Sequence, residues 1–551
     1  MASAQSNAVG AVDDACSAPL PRRRKPSILL SVPPLPRGEL LLCGLLCACH
    51  CVVALIGIYR LGYDGGTPGR EAWKRNYWVG RSLLTPWTGL HRDRTHYDWD
   101  RWLRFTCQRL PWLLGHVLGG GRLAYIAYAL TSHVVLHGTK PILLLATLCP
   151  VVIWLTRQSG SVLASWLACF TLLYFCYDRL TVISSDDRGN VAAAYHSAVL
   201  LLFKSVQLIS YCEHVVECRN EGHRLEPFSV GCADFALYAV YLPYSNSLVV
   251  CYEDFVEQLQ QRKGVHLKLG SVLETGALGC AHFVAAEAIL HLFHFYCCAH
   301  DQAVVSSSSP TALWSMWVLT RHIFQIKYET QFYFGAFFAR LDRLNPSGQL
   351  VCISKVVLYS HLYRHLDMSC YFGLQHWLYR LWEKGGHLLY SRRHRRSSCV
   401  RWLFRLLALV GCYELTLFWR RSEFPAAVRM AVNCGERLAV RAFEGVYSFF
   451  VTDTQWGAAI SAAVSAPSQR RALALLQNLE LLPNAAAFVF FIDAQDTVRR
   501  HFEENPLGLA LSTLWLLLVG YCANQCYLEW ERRRDPRFGE ATPSPEVCLP
   551  K

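Results

Sequence analysis

The sequence predicts an all-α, polytopic membrane protein, on three observations. The chain of 551 residues is 53% hydrophobic and 13% aromatic but only 17% charged, with a mean hydropathy of +0.19. That balance is too apolar and too charge-poor for a soluble protein of this length. Apolar runs long enough to cross a hydrocarbon core of roughly 30 Å, about 20 helical residues each, recur from one end to the other. Lys and Arg gather beside these runs rather than inside most of them, where they set topology.

Residues 1–38, polar and rich in Pro and Arg, predict a disordered cytosolic tail. No cleavable signal peptide is expected, because the first apolar run starts near residue 39. Membrane helices are predicted over 40–59, 141–156, 162–182, 195–214, 274–299, 311–326, 348–363, 399–419, 480–493 and 507–528. Stretches 102–118, 121–136, 233–252, 329–340 and 370–383 are shorter or interrupted by Pro, Asn or charge. They predict re-entrant or broken helices, which persist only where protein or water covers their backbone. The result is one bundle over 39–530 with about ten to twelve spans, then a charged, Pro-rich tail over 531–551.

The net charge of +13 is no nucleic-acid signal. The basic residues cluster next to spans, at Arg22-Arg23-Arg24-Lys25, in the 391–396 run and at 531–534. Such clusters place the N-terminus and the loop of Arg392, Arg393, Arg395 and Arg396 on the cytosolic side, facing anionic membrane lipids. Most of the 24 cysteines lie within apolar runs, as Cys43, Cys47, Cys49 and Cys51 do, and are expected to behave as small buried hydrophobes.

The chain has no phosphate loop, no dinucleotide fingerprint and no His-Glu-x-x-His helix. Glu287, His291 and His294, spaced by four and three, fall on one face of the 274–299 helix. They form either a metal site completed by Cys297, Cys298 or His300, or a polar stripe bonding to neighbouring helices. A carboxylate and arginines at membrane depth, Asp367 and Arg420-Arg421, are costly and mark the first place to look for function.

Residues 331–433 carry a family resemblance. The runs Phe338-Ala339-Arg340-Leu341-Asp342-Arg343-Leu344-Asn345-Pro346, Val351-Cys352-Ile353-Ser354, Tyr363-Arg364-His365-Leu366-Asp367 and Gly373-Leu374-Gln375-His376-Trp377-Leu378-Tyr379-Arg380 resemble the membrane-bound O-acyltransferase family. The likeness is to the branch of the hedgehog acyltransferases and glycerol-uptake proteins, as a divergent member. Asp98-Trp99-Asp100-Arg101-Trp102, the Tyr241-Leu242-Pro243 stretch through Phe255, the Glu287/His291 pair and Asn433 add to it.

The resemblance implies transfer of a long acyl chain from cytosolic acyl-CoA to a lipid or secreted-protein acceptor, in the endoplasmic reticulum. It implies no required cofactor, although Cys352 matches a haem-coordinating position in that family; a lone Cys in an apolar run also suits plain packing. It gives Tyr241, Glu287, His291, Trp419 and Asn433 to the substrate tunnel, and Arg392, Arg393, Arg395 and Arg396 to the CoA phosphates. An intramembrane His assisted by Asp367 is the general base such transfer uses. Here the residue after Trp419 is Arg420, and a guanidinium with a pKa above about 12 cannot accept a proton.

No His lies between His394 and His501 to replace it. Four extra residues, Met368 to Tyr371, also follow Asp367, and the Gly-Pro of the family is absent after Pro243. Three outcomes follow. The chain is an acyltransferase with a displaced base such as His365, His361 or His376. Or it is an inactive relative whose Arg420 pairs with Asp367 or Glu414, or a transporter or lipid-binding scaffold. The aromatic set Tyr328, Phe332, Tyr333, Phe334 and Phe337 either lines an acyl tunnel or packs helices together.

Overall fold

A computed structural model describes residues 34–63, 79–80, 85–94, 97–116, 121–178, 191–245, 248, 250–262, 266–301, 304, 308, 310–346, 466–479 and 506–534. They form an all-α assembly. The one strand pairing among them is a two-residue antiparallel ladder, Val79–Gly80 against Arg92–Asp93. Four helices among them are long and apolar enough to cross a membrane: Arg37–Arg60, Thr139–Ser159, Val199–Asn220 and Leu269–Leu292. The chain is a multi-pass membrane protein.

In chain order the longer helices are α1 (Arg37–Tyr63), α2 (Tyr97–Leu114), α3 (Arg122–His137), α4 (Thr139–Ser159), α5 (Leu163–Asp178) and α6 (Val191–Asn220). They continue with α7 (Phe228–Val240), α8 (Tyr252–Gln261), α9 (Leu269–Leu292), α10 (Phe295–His300), α11 (Pro310–Leu341), α12 (Ala466–Leu479) and α13 (Pro506–Arg534). Both α11 and α13 open on proline, where the missing N–H costs no intrahelical bond.

Leu41, Leu42, Val52 and Val53 of α1 are exposed; in a span this apolar surface meets lipid, not water. By contrast α6 is buried from Lys204 to Glu213 and lies at the centre. One apolar core gathers α3, α4, α5, α6, α7 and the C-terminal turns of α11, and a second gathers Ile58, Trp99, α9, α10 and the first half of α11. The long helix α11 therefore serves both. Its C-terminus ends in a Schellman turn, with Leu344 N–H bonding Ala339 O at 2.9 Å and Arg343 N–H bonding Arg340 O at 3.0 Å. Arg343 takes the left-handed φ of 63° that this turn requires, and Pro346 stands just beyond it.

Helices α9 and α11 pack along their length because α9 offers two glycines. A Cβ on Gly276 would sit 3.1 Å from the Phe337 ring, and one on Gly279 would sit 3.2 Å from Tyr333 Cβ. Small residues at such a seam let helices approach closely inside a bilayer, where apolar side chains gain little from leaving lipid. Arg340 fastens the end of the seam, donating to Ser271 O and Oγ at 3.1 Å and to Thr275 Oγ1. Two ion-pair groups fasten α12 to its neighbours: Arg470, fully buried, bonds Gln525 Oε1 at 2.8 Å and Glu529 of α13 at 2.9 Å. Arg471 pairs with Glu39 at 2.6 Å.

Three sequence expectations need correction. The 274–299 run is two helices, because His294 takes a left-handed backbone, φ 36°, between α9 and α10; His294 therefore leaves the face that carries Glu287 and His291. The 311–326 and 329–340 runs are one helix. Lys327 and Glu329, where the two runs meet, are buried rather than helix-ending, and Glu329 binds His282 of α9 at 2.7 Å. Nor are the cysteines uniformly buried: Cys49, Cys51, Cys107 and Cys280 are exposed.

The seam predicts that Gly279→Val is destabilising by about 1–3 kcal/mol, since added bulk at a packed position forces strain. Gly270→Ala, in the same helix with nothing within 4 Å of the new Cβ, should leave stability unchanged or raised. Thermal unfolding of the two detergent-purified variants compares them; equal midpoints would rule out the seam.

Candidate functional site

Among the residues the sequence singles out, Tyr241, Glu287 and His291 are described. Cys352, His365, Asp367, Arg392, Arg393, Arg395, Arg396, Trp419, Arg420 and Asn433 lie outside the described residues.

Tyr241 stands where α7 stops. After Val240 the chain turns through Leu242–Ser245 before α8 begins at Tyr252, inside the 233–252 stretch that the sequence marks as interrupted. A helix end buried in the protein leaves polar backbone groups that must find partners, and side chains from three helices supply them. Leu242 N–H donates to Tyr125 Oη of α3 at 3.1 Å. Arg109 of α2 donates to Leu242 O. Lys204 of α6 donates to Ala239 O, to Gln207 Oε1 at 3.0 Å and to Ser245 Oγ at 3.2 Å.

Cations facing carbonyls at a helix C-terminus also meet its negative dipole end favourably. Ser245 Oγ lies in turn 3.4 Å from His133 Nε2. From the end of α11, Asp342 accepts the Tyr241 hydroxyl at 2.9 Å and contacts His116 Nε2. The rings of Tyr125 and Tyr241 both present edges to His116, at 5.2 and 5.5 Å. Tyr241, Ser245, Arg109, Lys204, His133 and His116 are all buried.

Glu287 sits in a second polar group on the other core. It accepts Trp99 Nε1–H at 2.7 Å and pairs with Arg92 at 3.0 Å, while Arg92 also reaches Asp100 at 2.8 Å. One turn on, His291 Nδ1–H donates to the Glu287 carbonyl at 2.6 Å. His294 Nε2–H donates to His91 O at 2.8 Å, and Asp93 accepts Cys297 N–H at 3.0 Å. Burial pushes the His294 imidazole below its ordinary pKa, against the pull of the His91 carbonyl. Glu287 thus ties α9 to Arg92 and Trp99. Among the described residues no group of three His, Cys, Asp or Glu is placed to hold a metal ion.

The fold brings the quoted segments together in pairs: Asp98–Trp102 against Glu287, and Tyr241 against Asp342 of the Phe338–Pro346 run. It does not bring Tyr241 and Glu287 into one cluster. Two of the tunnel candidates, Tyr333 and Phe337, are spent on the glycine seam, Tyr333 also stacking on His282 at 5.2 Å; Phe334 meets Trp102 edge-on at 6.1 Å. Sequence reasoning gave no role to Arg109, His116, His133, Lys204, Ser245 or Asp342. Lys204 had a signal, since an ionisable residue inside a span is by default a functional flag. His116 had none, because its partner lies 226 residues away.

No family model matches the chain. Over 315 residues it is 24% identical to the protein-cysteine N-palmitoyltransferase HHAT of Mus musculus. The similar region covers 53% of this chain and 61% of that protein, so less than two thirds of the relative's length is matched.

Removing the Glu287 carboxylate leaves two buried donors short of an acceptor. Glu287→Ala is expected to cost about 1–3 kcal/mol, the usual penalty for such a loss. Glu287→Gln, which keeps an acceptor oxygen for Trp99, should cost less. Thermal midpoints of the detergent-purified variants give the order, and a wild-type-like Glu287→Ala would show that the contact contributes nothing.

Proposed function

We propose that the chain is a membrane-embedded protein of acyltransferase type that binds long-chain acyl-CoA and passes its acyl group to a lipid or protein acceptor in the endoplasmic reticulum. The observation that carries this is the similarity to an N-palmitoyltransferase. It gains weight because the sequence segments shared with the acyltransferase family meet in space, Trp99 on Glu287 and Tyr241 on Asp342. Acyl-CoA enters from the cytosol, where Arg392, Arg393, Arg395 and Arg396 suit its phosphates by charge. Asp367, Trp419 and Asn433 stand at matching positions of the acyl-transfer motif. No cofactor is assigned to the transfer beyond acyl-CoA as donor.

Arg420 favours a second reading. A guanidinium cannot take the acceptor's proton, so an inactive relative that binds acyl-CoA without turning it over is the alternative, with Arg420 paired to Asp367 or Glu414. Purified protein in nanodiscs with radiolabelled palmitoyl-CoA and an N-terminal-cysteine peptide separates the two. Turnover by the wild type that Asp367→Ala abolishes supports the transferase. Binding without turnover, with activity appearing only in Arg420→His, supports the inactive relative. Absence of palmitoyl-CoA binding in every form overturns both.

The basic clusters set a topology for this reading, with the N-terminal tail and the Arg392–Arg396 loop in the cytosol. Tags at residues 10 and 394 are expected to be digested by protease added to sealed microsomes. A shielded tag at either place would reverse that orientation.

A further inference from the structure

Resting on the acyl-transfer reading, the geometry points to His116 as the proton acceptor that Arg420 cannot be, a role we propose for the His116–Asp342–Tyr241 group.

Asp342 Oδ2 receives two donors, the Tyr241 hydroxyl at 2.9 Å and the His116 Nε2–H. A carboxylate only accepts, so in the neutral imidazole this contact puts the proton on Nε2 and leaves Nδ1 with its lone pair. Nδ1 is buried and has no hydrogen-bond partner among the described residues. A base held by a carboxylate on one nitrogen and with no hydrogen bond on the other has the donor and lone-pair arrangement that proton abstraction needs.

Three elements hold the ring in place. His116 closes the end of α2, its N–H bonding Leu113 O at 3.2 Å; Asp342 closes α11; and Tyr241 closes α7. The titratable groups in contact with it are Asp342 from α11, Tyr125 from α3 and Tyr241 from the break; Arg109 of its own helix on Leu242 O and Tyr244 on the Tyr241 ring stand one contact further away.

In the proposed step the acceptor's amine or hydroxyl gives its proton to His116 Nδ1 while its lone pair bonds the thioester carbonyl carbon. The C–S bond breaks, and the CoA thiolate leaves and recovers the proton from the imidazolium. Acyl-CoA and acceptor become acylated acceptor and free CoA, with no other reactant. The Asp342 carboxylate offsets the positive charge that forms on the ring.

The test uses full-length protein in nanodiscs, palmitoyl-CoA as donor and an N-terminal-cysteine peptide as acceptor, with free CoA and acylated peptide both measured. His116→Gln should lower kcat about 100-fold, the low end of what a general base supplies, with KM little changed. It should also remove the acid limb of the pH–rate profile. Tyr241→Phe takes one donor from Asp342, which concentrates its charge on the imidazole; it should move the acid limb to higher pH while leaving transfer measurable.

A structural role would lower the thermal midpoint in both variants without moving that limb. Wild-type transfer that His116→Gln leaves intact, or an acid limb unmoved by Tyr241→Phe, overturns the proposal while the acyl-transfer reading stands. Palmitoyl-CoA binding without transfer in the wild type overturns the assignment of His116 together with the transferase. Failure to bind palmitoyl-CoA at all overturns the broader reading itself.

Discussion

An interrupted helix in a membrane protein must have its freed backbone groups satisfied by side chains, because lipid offers none. At the end of α7 that constraint recruits a residue from nearly every neighbour. Arg109, Lys204 and Tyr125 take the carbonyls and the amide around Leu242, and Asp342 takes the Tyr241 hydroxyl. Each of these side chains is buried with the break. The cost of burying a Lys and an Arg is met by the carbonyl dipoles they face, so the cations and the break require one another.

The same logic orders the rest of the bundle. Helix α11 has to run straight from the second core to the first to deliver Asp342, and it does so against the glycine seam of α9. Its charges at membrane depth are tolerated because α9 supplies His282 to Glu329. At the other core, Arg92 and Trp99 close on Glu287, which fixes α9 from its C-terminal half while Arg340 fixes it from its first turns. Arg471 joins α12 to α1 through Glu39, and α1 also packs on α13, where Trp515 Nε1–H donates to His50 Nδ1 at 3.0 Å, so helices distant in sequence share one edge.

Two polar groups therefore lie in two cores with α11 between them. The Glu287 group is taken up by contacts among its own neighbours, Trp99, Arg92 and Asp100, and reads as a brace. The group at the helix break is different in kind, since it combines cations, a carboxylate, a hydroxyl and an imidazole with one nitrogen unspent. Polar groups this dense are expensive to bury and rare where nothing is bound or transformed.

Composition and run length alone determined that the chain is a helical membrane protein, since the hydropathy needed to cross a bilayer is a local property. They also placed α1, α4 and α9 to within a few residues at the N-terminal end of each, and marked the interruption near Tyr241 from its Pro and polar residues. Tertiary structure decided what local pattern could not: that Lys327 and Glu329 continue a helix, because backbone hydrogen bonding ignores a side chain whose partner lies on a neighbour. It decided that His294 ends α9, because its imidazole reaches a carbonyl 203 residues away. And it joined His116 to Asp342 across 226 residues, a pairing that carries no periodicity in sequence because it exists only where three helix ends converge.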